Sequence, residues 1–304
     1  MALPNFLIIG APRSGTTSLY QWLRSHPDVF MPAHKEPMFF LASLPPFRGP
    51  YDDVMNRLVI RSRAAYEALF DPGAQCVALG EASVYYLYYA ERSAHSIRKL
   101  IPDCKLICIL RDPVDRAFSA YKLLRRDGWD NASFERALEL ESSRVAAGWN
   151  PTYALVGAGE YGAQLATYRQ LFPPDQLLAL TFEELVANPA EGYRRICRFL
   201  GVRDDPMPLW LAYNRGWVPR SPLLHKLMVS VHNQVTRRSP SELVTNPHRM
   251  QATSSKLFPL FGRVPQVPGG LRAALAARFC SSNQTVHELF PDLDLRPWGQ
   301  GHTD

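Results

Sequence analysis

An apolar run, followed at once by a loop of small residues and a helix-forming segment, most limits how this chain can fold. Residues 6–9 have the length of a buried strand, and Leu19, Trp22 and Leu23 beyond the loop have helical spacing. A loop from a strand into a helix N-terminus gathers unpaired backbone N–H groups at the positive end of the helix dipole. This segment therefore predicts a phosphate-binding loop on an α/β scaffold.

The residues of this loop indicate which kind of phosphate ligand it binds. Gly10 and Gly15 have the spacing of a P-loop, but Thr16 stands where the lysine of nucleoside triphosphatases is expected. The cation of this loop is Arg13 instead. We therefore predict an anion-binding loop for a nucleotide other than ordinary ATP.

Strand-like and helix-like segments alternate along most of the chain. Predicted strands lie at residues 6–9, 77–80, 105–110 and 176–181. Predicted helices lie at residues 18–25, 53–70, 89–100, 113–126, 133–147, 161–171 and 189–200. Short apolar strands separated by helices predict an α/β, P-loop-like three-layer fold with a central parallel sheet flanked by helices. Ligands of such folds bind at the carboxyl ends of the strands. The segments at these ends are residues 10–17, 81–83 and 111–113.

The composition of the sequence changes after residue 202, although we expect a single domain over residues 1–304. Residues 1–202 form the predicted nucleotide-binding core, and residues 271–304 form a C-terminal helix (271–289) and tail. Residues 203–270, rich in Pro, Arg and Trp, form a predicted irregular lid or binding loop, with one predicted helix at 223–235. Aromatic residues in this segment that could stack on a sugar or an aromatic group are Trp210, Tyr213 and Trp217.

Composition narrows the class of protein and of partner. With 46% hydrophobic and 20% charged residues, the chain is globular, and its net charge of +6 is not gathered into a Lys/Arg run. A multiply phosphorylated small ligand is therefore expected rather than nucleic acid. The five cysteines include no C-x-x-C pair, and Cys104 and Cys108 are expected to pack as small hydrophobic residues. Without an export signal or a transmembrane segment, we expect a soluble, cytoplasmic protein.

A second candidate phosphate site follows the predicted strand 105–110. Arg111 comes at the carboxyl end of that strand, where its planar fork can clamp a phosphate, and Asp112 can cap the next helix. Ser119 lies two turns into that helix and can offer its hydroxyl to the same group. Arg111 paired with a neighbouring carboxylate is the structural alternative, which the nearby phosphate loop makes the weaker one.

A third candidate site is the segment His34-Lys35-Glu36-Pro37-Met38-Phe39-Phe40. A carboxylate beside an apolar run loses solvent, which raises its pKa and suits it to act as a general base. Glu36 is therefore a candidate base, with His34 next in line. Taken without its context, the segment favours the alternative, in which Glu36 is a strand-edge carboxylate that meets only solvent.

Together these segments resemble one family of enzymes. Residues 12–19 resemble the 5′-phosphosulfate loop of sulfotransferases that use 3′-phosphoadenosine 5′-phosphosulfate (PAPS), and residues 111–121 resemble their 3′-phosphate site. Residues 23–29 and 36–40 are most similar to the branch that contains heparan sulfate sulfotransferases and their bacterial relatives. The resemblance covers about residues 4–202.

This resemblance implies a PAPS-dependent O-sulfotransferase that needs no metal. Glu36 would be the catalytic base, and Arg13 would neutralise the leaving 5′-phosphate. Gly262 and Arg263 weakly match a late phosphate loop. The cofactor-binding residues that the resemblance implies are Arg13, Ser14, Gly15, Thr16, Thr17, Arg111, Ser119, Gly262 and Arg263.

The chain departs from the heparan sulfate enzymes at two informative positions, one of which is Phe261, which precedes Gly262 where their late loop has a lysine. Residues 81–86 resemble their Glu-Lys-Thr-Pro-Ser-Tyr segment, but Ala82 replaces its lysine. A cation that would meet an anionic polysaccharide is therefore missing. We expect the acceptor to be a hydroxyl of a small molecule, a glycolipid or a glycosylated natural product.

Two other functions compete with this prediction. A P-loop nucleotide kinase would need a lysine after Gly15 and a carboxylate for Mg²⁺ at a strand end, where Thr16 and Arg111 stand instead. A non-catalytic nucleotide-binding module would keep the phosphate ligands but would need no base at Glu36. A zinc hydrolase is excluded because His287-Glu288 is not followed by a second histidine at ligand spacing.

Overall fold

A parallel sheet forms the centre of the molecule. The computed structural model describes residues 2–205, 218–219, 261–262 and 266–298. The strands are β1 (Phe6–Gly10), β2 (Val29–Phe30), β3 (Ala78–Ala82), β4 (Lys105–Leu110) and β5 (Leu177–Thr181), in the order β2-β3-β1-β4-β5. The chain fills one side of β1 first and then the other, so the order reverses between β1 and β4. Such a reversal opens a crevice at the carboxyl ends of the strands, where ligands bind in open α/β sheets.

Helices cover both faces of this sheet. They are α1 (Thr16–Arg24), α2 (Asp52–Leu58), α3 (Arg63–Ala68), α4 (Ala90–Leu100), α5 (Pro113–Arg126), α6 (Phe134–Ala146), α7 (Tyr161–Leu171), α8 (Phe182–Ala187), α9 (Pro189–Leu200) and α10 (Gly269–Leu289). The predicted three-layer α/β fold is confirmed.

Side chains of β1 point alternately to the two faces of the sheet and so contribute to two separate clusters of the core. Leu7 and Ile9 pack into the cluster that includes side chains of α4 and α7, whereas Phe6 and Ile8 pack into the cluster built with α1 and α9. All of these strand side chains are fully buried, as expected for a parallel strand covered on both sides. The predicted packing of Cys104 and Cys108 is confirmed, because both are buried members of the first cluster.

The last helix packs back onto the core. The N–H of Gly162 on α7 donates to Ser282 Oγ of α10 at 2.9 Å, and a Cβ at Gly162 would lie 2.7 Å from the Ser282 carbonyl oxygen. Arg272 near the start of α10 pairs with Asp115 in the first turn of α5.

A second ion pair holds the chain just beyond α9. The Arg203 guanidinium donates to both carboxylate oxygens of Asp28, at 2.8 and 3.0 Å. The Arg203–Asp28 and Arg272–Asp115 pairs thus hold the chain on either side of the long segment between them.

One predicted helix, at 53–70, was wrong as a single element. The structure has α2 and α3 there, joined by an extended link in which the N–H of Ile60 donates to the Pro37 carbonyl at 2.8 Å. Ser62 then caps α3 by accepting from the N–H of Ala65. The sequence analysis also did not predict β2, which has only two residues, or α8.

Much of the predicted lid lies outside the described residues, including the predicted helix at 223–235. The three candidate aromatic residues of the lid, Trp210, Tyr213 and Trp217, also lie outside them. The described part of residues 203–270 includes a two-stranded antiparallel ladder between β6 (Val218–Pro219) and β7 (Phe261–Gly262). Among the described residues, no helix has the length and hydropathy needed to cross a lipid bilayer.

Candidate active site

The phosphate loop joins β1 to α1 at the crevice. Gly15 has a φ of 85°, and a Cβ there would lie 3.0 Å from the Phe182 ring, so the position requires glycine. No side chain caps the N-terminus of α1, and its first turn contains no acidic residue. Its backbone N–H groups and dipole therefore favour an anion. Thr16 is buried, Thr17 is partly exposed, and Ser14 is fully buried with its hydroxyl beside that of Tyr161.

The second predicted phosphate site contacts this loop directly. Arg13 Nε donates to Ser119 Oγ at 3.2 Å across 106 residues of sequence, and Arg111 Nη1 donates to the Arg13 carbonyl oxygen at 3.4 Å. The Arg111 guanidinium lies 4.8 Å from the centroid of the Phe182 ring. The structure thus brings Arg13, Arg111 and Ser119 together as the sequence predicts.

Two carboxylates fix the start of α5, and the sequence analysis predicted only one of them. Asp112 caps α5 by accepting from the N–H groups of Val114 and Asp115, as predicted. Glu183, which was not predicted, accepts from the Asp112 N–H at 3.1 Å and from Trp298 Nε1 at 3.2 Å. Because Arg111 immediately precedes the cap, these bonds fix where its side chain leaves the backbone.

Cations crowd the loop. Burial, followed by the charges of Arg126 and Arg111, lowers the pKa of Arg13 to about 10. Arg13 still carries its charge at neutral pH. Arg126 forms two bonds to Asp127, at 2.7 and 3.2 Å. Arg126 was not predicted, although it lies seven residues after Ser119 and therefore near the same face of α5. Three guanidinium groups near one carboxylate create the positive potential that a phosphate site needs.

Glu36 lies in the loop that follows β2, and backbone bonds fix it against the end of β3. Its N–H donates to the Ala82 carbonyl at 3.0 Å, and its Oε2 accepts from the N–H of Val84 at 2.9 Å. Glu36 and Met38 have φ values of 62° and 46°, which are strained for non-glycine residues. Strain of this kind clusters at functional sites, where surrounding contacts maintain it.

Lys35 gives the Glu36 carboxylate an environment that the apolar sequence run did not predict. Lys35 Nζ pairs with Glu36 Oε1 at 3.0 Å, and the two side chains are each 10% exposed. The same ammonium donates to Thr17 Oγ1 at 3.4 Å. The carboxylate is buried, as expected, but its partners are an ammonium and a backbone N–H rather than apolar side chains alone. One lysine thus joins the candidate base to the phosphate loop.

A buried carboxyl supports the loop that carries Glu36. Glu81 is fully buried and accepts from Ser83 Oγ and the Tyr86 hydroxyl, each at 2.8 Å. Ser83 Oγ also accepts from the N–H of Met38 at 2.9 Å. Burial, opposed by these hydroxyls and reinforced by the nearby Glu36 charge, raises the pKa of Glu81 to about 8. Glu81 is therefore a structural support beneath the base, which sequence reasoning did not identify.

The remaining predicted residues are less informative. His34 Nε2 lies 3.0 Å from the Leu58 carbonyl oxygen at the end of α2, so its ring is held by a structural contact. Gly262 lies in β7 and pairs with Val218, whereas Arg263 is outside the described residues. Their suggested phosphate contacts stay predictions.

Comparison with known proteins identifies relatives over most of this region. A family model described as the sulfotransferase family matches residues 4–206. Mouse heparan sulfate glucosamine 3-O-sulfotransferase 3B1 is 32% identical over 202 residues, which cover 66% of this chain and 47% of that protein. Human bifunctional heparan sulfate N-deacetylase/N-sulfotransferase 2 is 28% identical over 207 residues, covering 66% of this chain and 22% of that protein. The chain thus spans half or less of these curated relatives.

A solved structure extends the similarity to nearly the whole chain. The crystal structure of a sulfotransferase from Alicyclobacillus acidocaldarius matches with a TM-score of 0.77 at 32% identity, covering 98% of this chain and 99% of that one. The family match includes the phosphate loop, the segment around Glu36 and the Arg111–Ser119 segment. This chain belongs to the sulfotransferase family.

Proposed function

We propose that this protein transfers a sulfuryl group from PAPS to a hydroxyl of a carbohydrate or small-molecule acceptor. One observation carries the proposal: the phosphate loop contacts Arg111 and Ser119 on one side and, through Lys35, the buried carboxylate of Glu36 on the other. Two groups suited to phosphate binding and one potential base thus lie at the same edge of the sheet. PAPS has a phosphosulfate and a separate 3′-phosphate, which match this arrangement.

The proposed reaction assigns a role to each group. Glu36 accepts the proton of the acceptor hydroxyl while a bond forms between the acceptor oxygen and sulfur. The bond from sulfur to the bridging phosphate oxygen breaks, and negative charge grows on that oxygen. Arg13, Thr16 and the N-terminus of α1 stabilise this charge. Arg111 and Ser119 hold the 3′-phosphate, with Arg263 as a further proposed ligand.

The nucleotide-kinase alternative is not favoured, since the family match and the residues at the loop agree on a sulfotransferase. A non-catalytic nucleotide-binding member of the family is the alternative that a direct experiment must exclude. It would bind the same nucleotide, but its function would not depend on Glu36.

The test is a screen with labelled PAPS against hydroxylated metabolites, followed by Glu36→Gln. The amide keeps the shape of the side chain but cannot accept the proton. We expect near-normal affinity for adenosine 3′,5′-bisphosphate (PAP), the desulfated product, and turnover reduced roughly a hundredfold or more. Glu139→Gln, at an exposed site on α6, is the control. Unchanged turnover in Glu36→Gln would contradict the assignment of the base.

We propose a small acceptor, a glycolipid or a glycosylated natural product rather than a highly anionic polymer. Ala82 is fully buried and supplies no cation to the cleft. The curated relatives carry heparan sulfate in their names, so a heparan-like chain is the acceptor to test against these. Residues 203–270 are the proposed acceptor-shaping segment. A cytoplasmic location stays a prediction from the sequence.

A further inference from the structure

Lys35 is a buried cation to which neither the sequence motifs nor the proposed reaction assigns a role. Its ammonium lies 3.0 Å from Glu36 Oε1 and 3.4 Å from Thr17 Oγ1. The residue is only 9% exposed, so this position is maintained by packing. The ammonium therefore lies between the candidate base and the loop proposed to hold the phosphosulfate.

That position has a direct chemical meaning for an in-line transfer. The acceptor oxygen, the sulfur and the bridging oxygen must lie on one line from the base towards the phosphate loop. A group that contacts both ends of this line lies beside its middle, where the other sulfuryl oxygens project. A fixed cation in a site shielded from water stabilises charge there more strongly than water does.

We propose that Lys35 is a catalytic residue that contacts the transferred sulfuryl group and keeps Glu36 oriented. This inference rests on the proposed sulfotransferase function. Lysine suits such a role because its ammonium is a compact charge with three donors. One donor can hold Glu36 while another binds the sulfuryl group.

The first test measures binding without turnover. In a Glu36→Gln background, we compare the affinities for PAPS and PAP, with and without Lys35→Met. A ligand that loses a charge-assisted contact is expected to lose affinity by about tenfold or more. Lys35→Met should therefore lower the affinity for PAPS, which carries the sulfuryl group, by that factor relative to the affinity for PAP. Lys99→Met, at an exposed position of α4, should change neither affinity.

The second test uses turnover in the otherwise native chain. Lys35→Met should lower kcat by roughly a hundredfold, as for loss of one transition-state donor, with a smaller change in the KM for PAPS. Lys35→Arg, which keeps the charge, should recover part of the rate.

The outcomes separate this inference from the proposed function. If the native protein binds neither PAP nor PAPS, the proposed function itself fails. If it binds both, and Lys35→Met lowers the affinities for PAP and PAPS equally, then Lys35 only supports the loop and the inference is overturned. Lys35→Gln, which keeps hydrogen bonding without charge, provides the same comparison if the Met variant does not fold.

Discussion

Replacing Arg111 by alanine tests whether the contact between the two strand ends is a 3′-phosphate site. In the structure this guanidinium donates to the Arg13 carbonyl at 3.4 Å and lies over the Phe182 ring. Both contacts help position the loop, so their loss should weaken any ligand of that loop. A direct pair with a 3′-phosphate would add a loss of about 1.5–3 kcal/mol for that ligand alone. The difference between two ligands therefore isolates the second effect.

The assay is calorimetric titration with PAP and with adenosine 5′-monophosphate, which lacks the 3′-phosphate. Arg111→Ala should lower the affinity for PAP by roughly 10- to 150-fold more than the affinity for the monophosphate. This factor is about 1.5–3 kcal/mol expressed as a ratio of dissociation constants. Arg98→Ala is a matched control, because Arg98, on α4, also donates to a carbonyl oxygen and lies over an aromatic ring, 5.8 Å from the centroid of Phe172. Equal losses for the two nucleotides would refute the 3′-phosphate assignment.

Three further predictions concern the support of the site and its acceptor. Asp112→Ala should lower the free energy of unfolding by about 1–2 kcal/mol in urea denaturation, through loss of the α5 cap, and Asp112→Asn should cost less because asparagine also caps helices. Because the folded-state pKa of Glu81 is raised to about 8, its contribution to stability is complete at low pH and is lost as the pH rises through that value. Native protein should therefore lose more unfolding free energy between pH 5 and pH 8 than Glu81→Gln, and equal losses would contradict the buried, proton-bound carboxyl. Trp217→Ala should raise the KM for the acceptor far more than that for PAPS, and equal increases would remove the acceptor role from that segment.

Local patterns were sufficient for the parts of the fold and site that are encoded in contiguous residues. The strand, loop and helix around Gly15, and the Arg111–Asp112–Pro113 helix start, were predicted with nearly their observed bounds. The α8 helix was readable too, because Thr181 and Glu184 form a capping box with the expected spacing, but that signal was overlooked.

The parts that sequence reasoning missed depend on contacts between distant segments. The break between α2 and α3 occurs where Ile60 bonds to Pro37, and no local pattern encodes that partner. The position of the Lys35 side chain also depends on distant contacts, since a lysine can extend into solvent or turn inward. Only the fold shows that it turns towards Thr17 and Glu36. Burial of Glu183 beneath the cap of α5 likewise depends on Trp298, which lies 115 residues away.

The two ion pairs on either side of the long segment after α9 have a consequence for how such a chain can diversify. Arg203 is held by Asp28, and Arg272 is held by Asp115. The acidic partners of both arginines lie in the α/β core, Asp28 just before β2 and Asp115 on α5. A change in length between the two ion pairs would therefore alter the proposed acceptor-shaping segment, while the strand ends that carry Arg13 and Arg111 keep their positions.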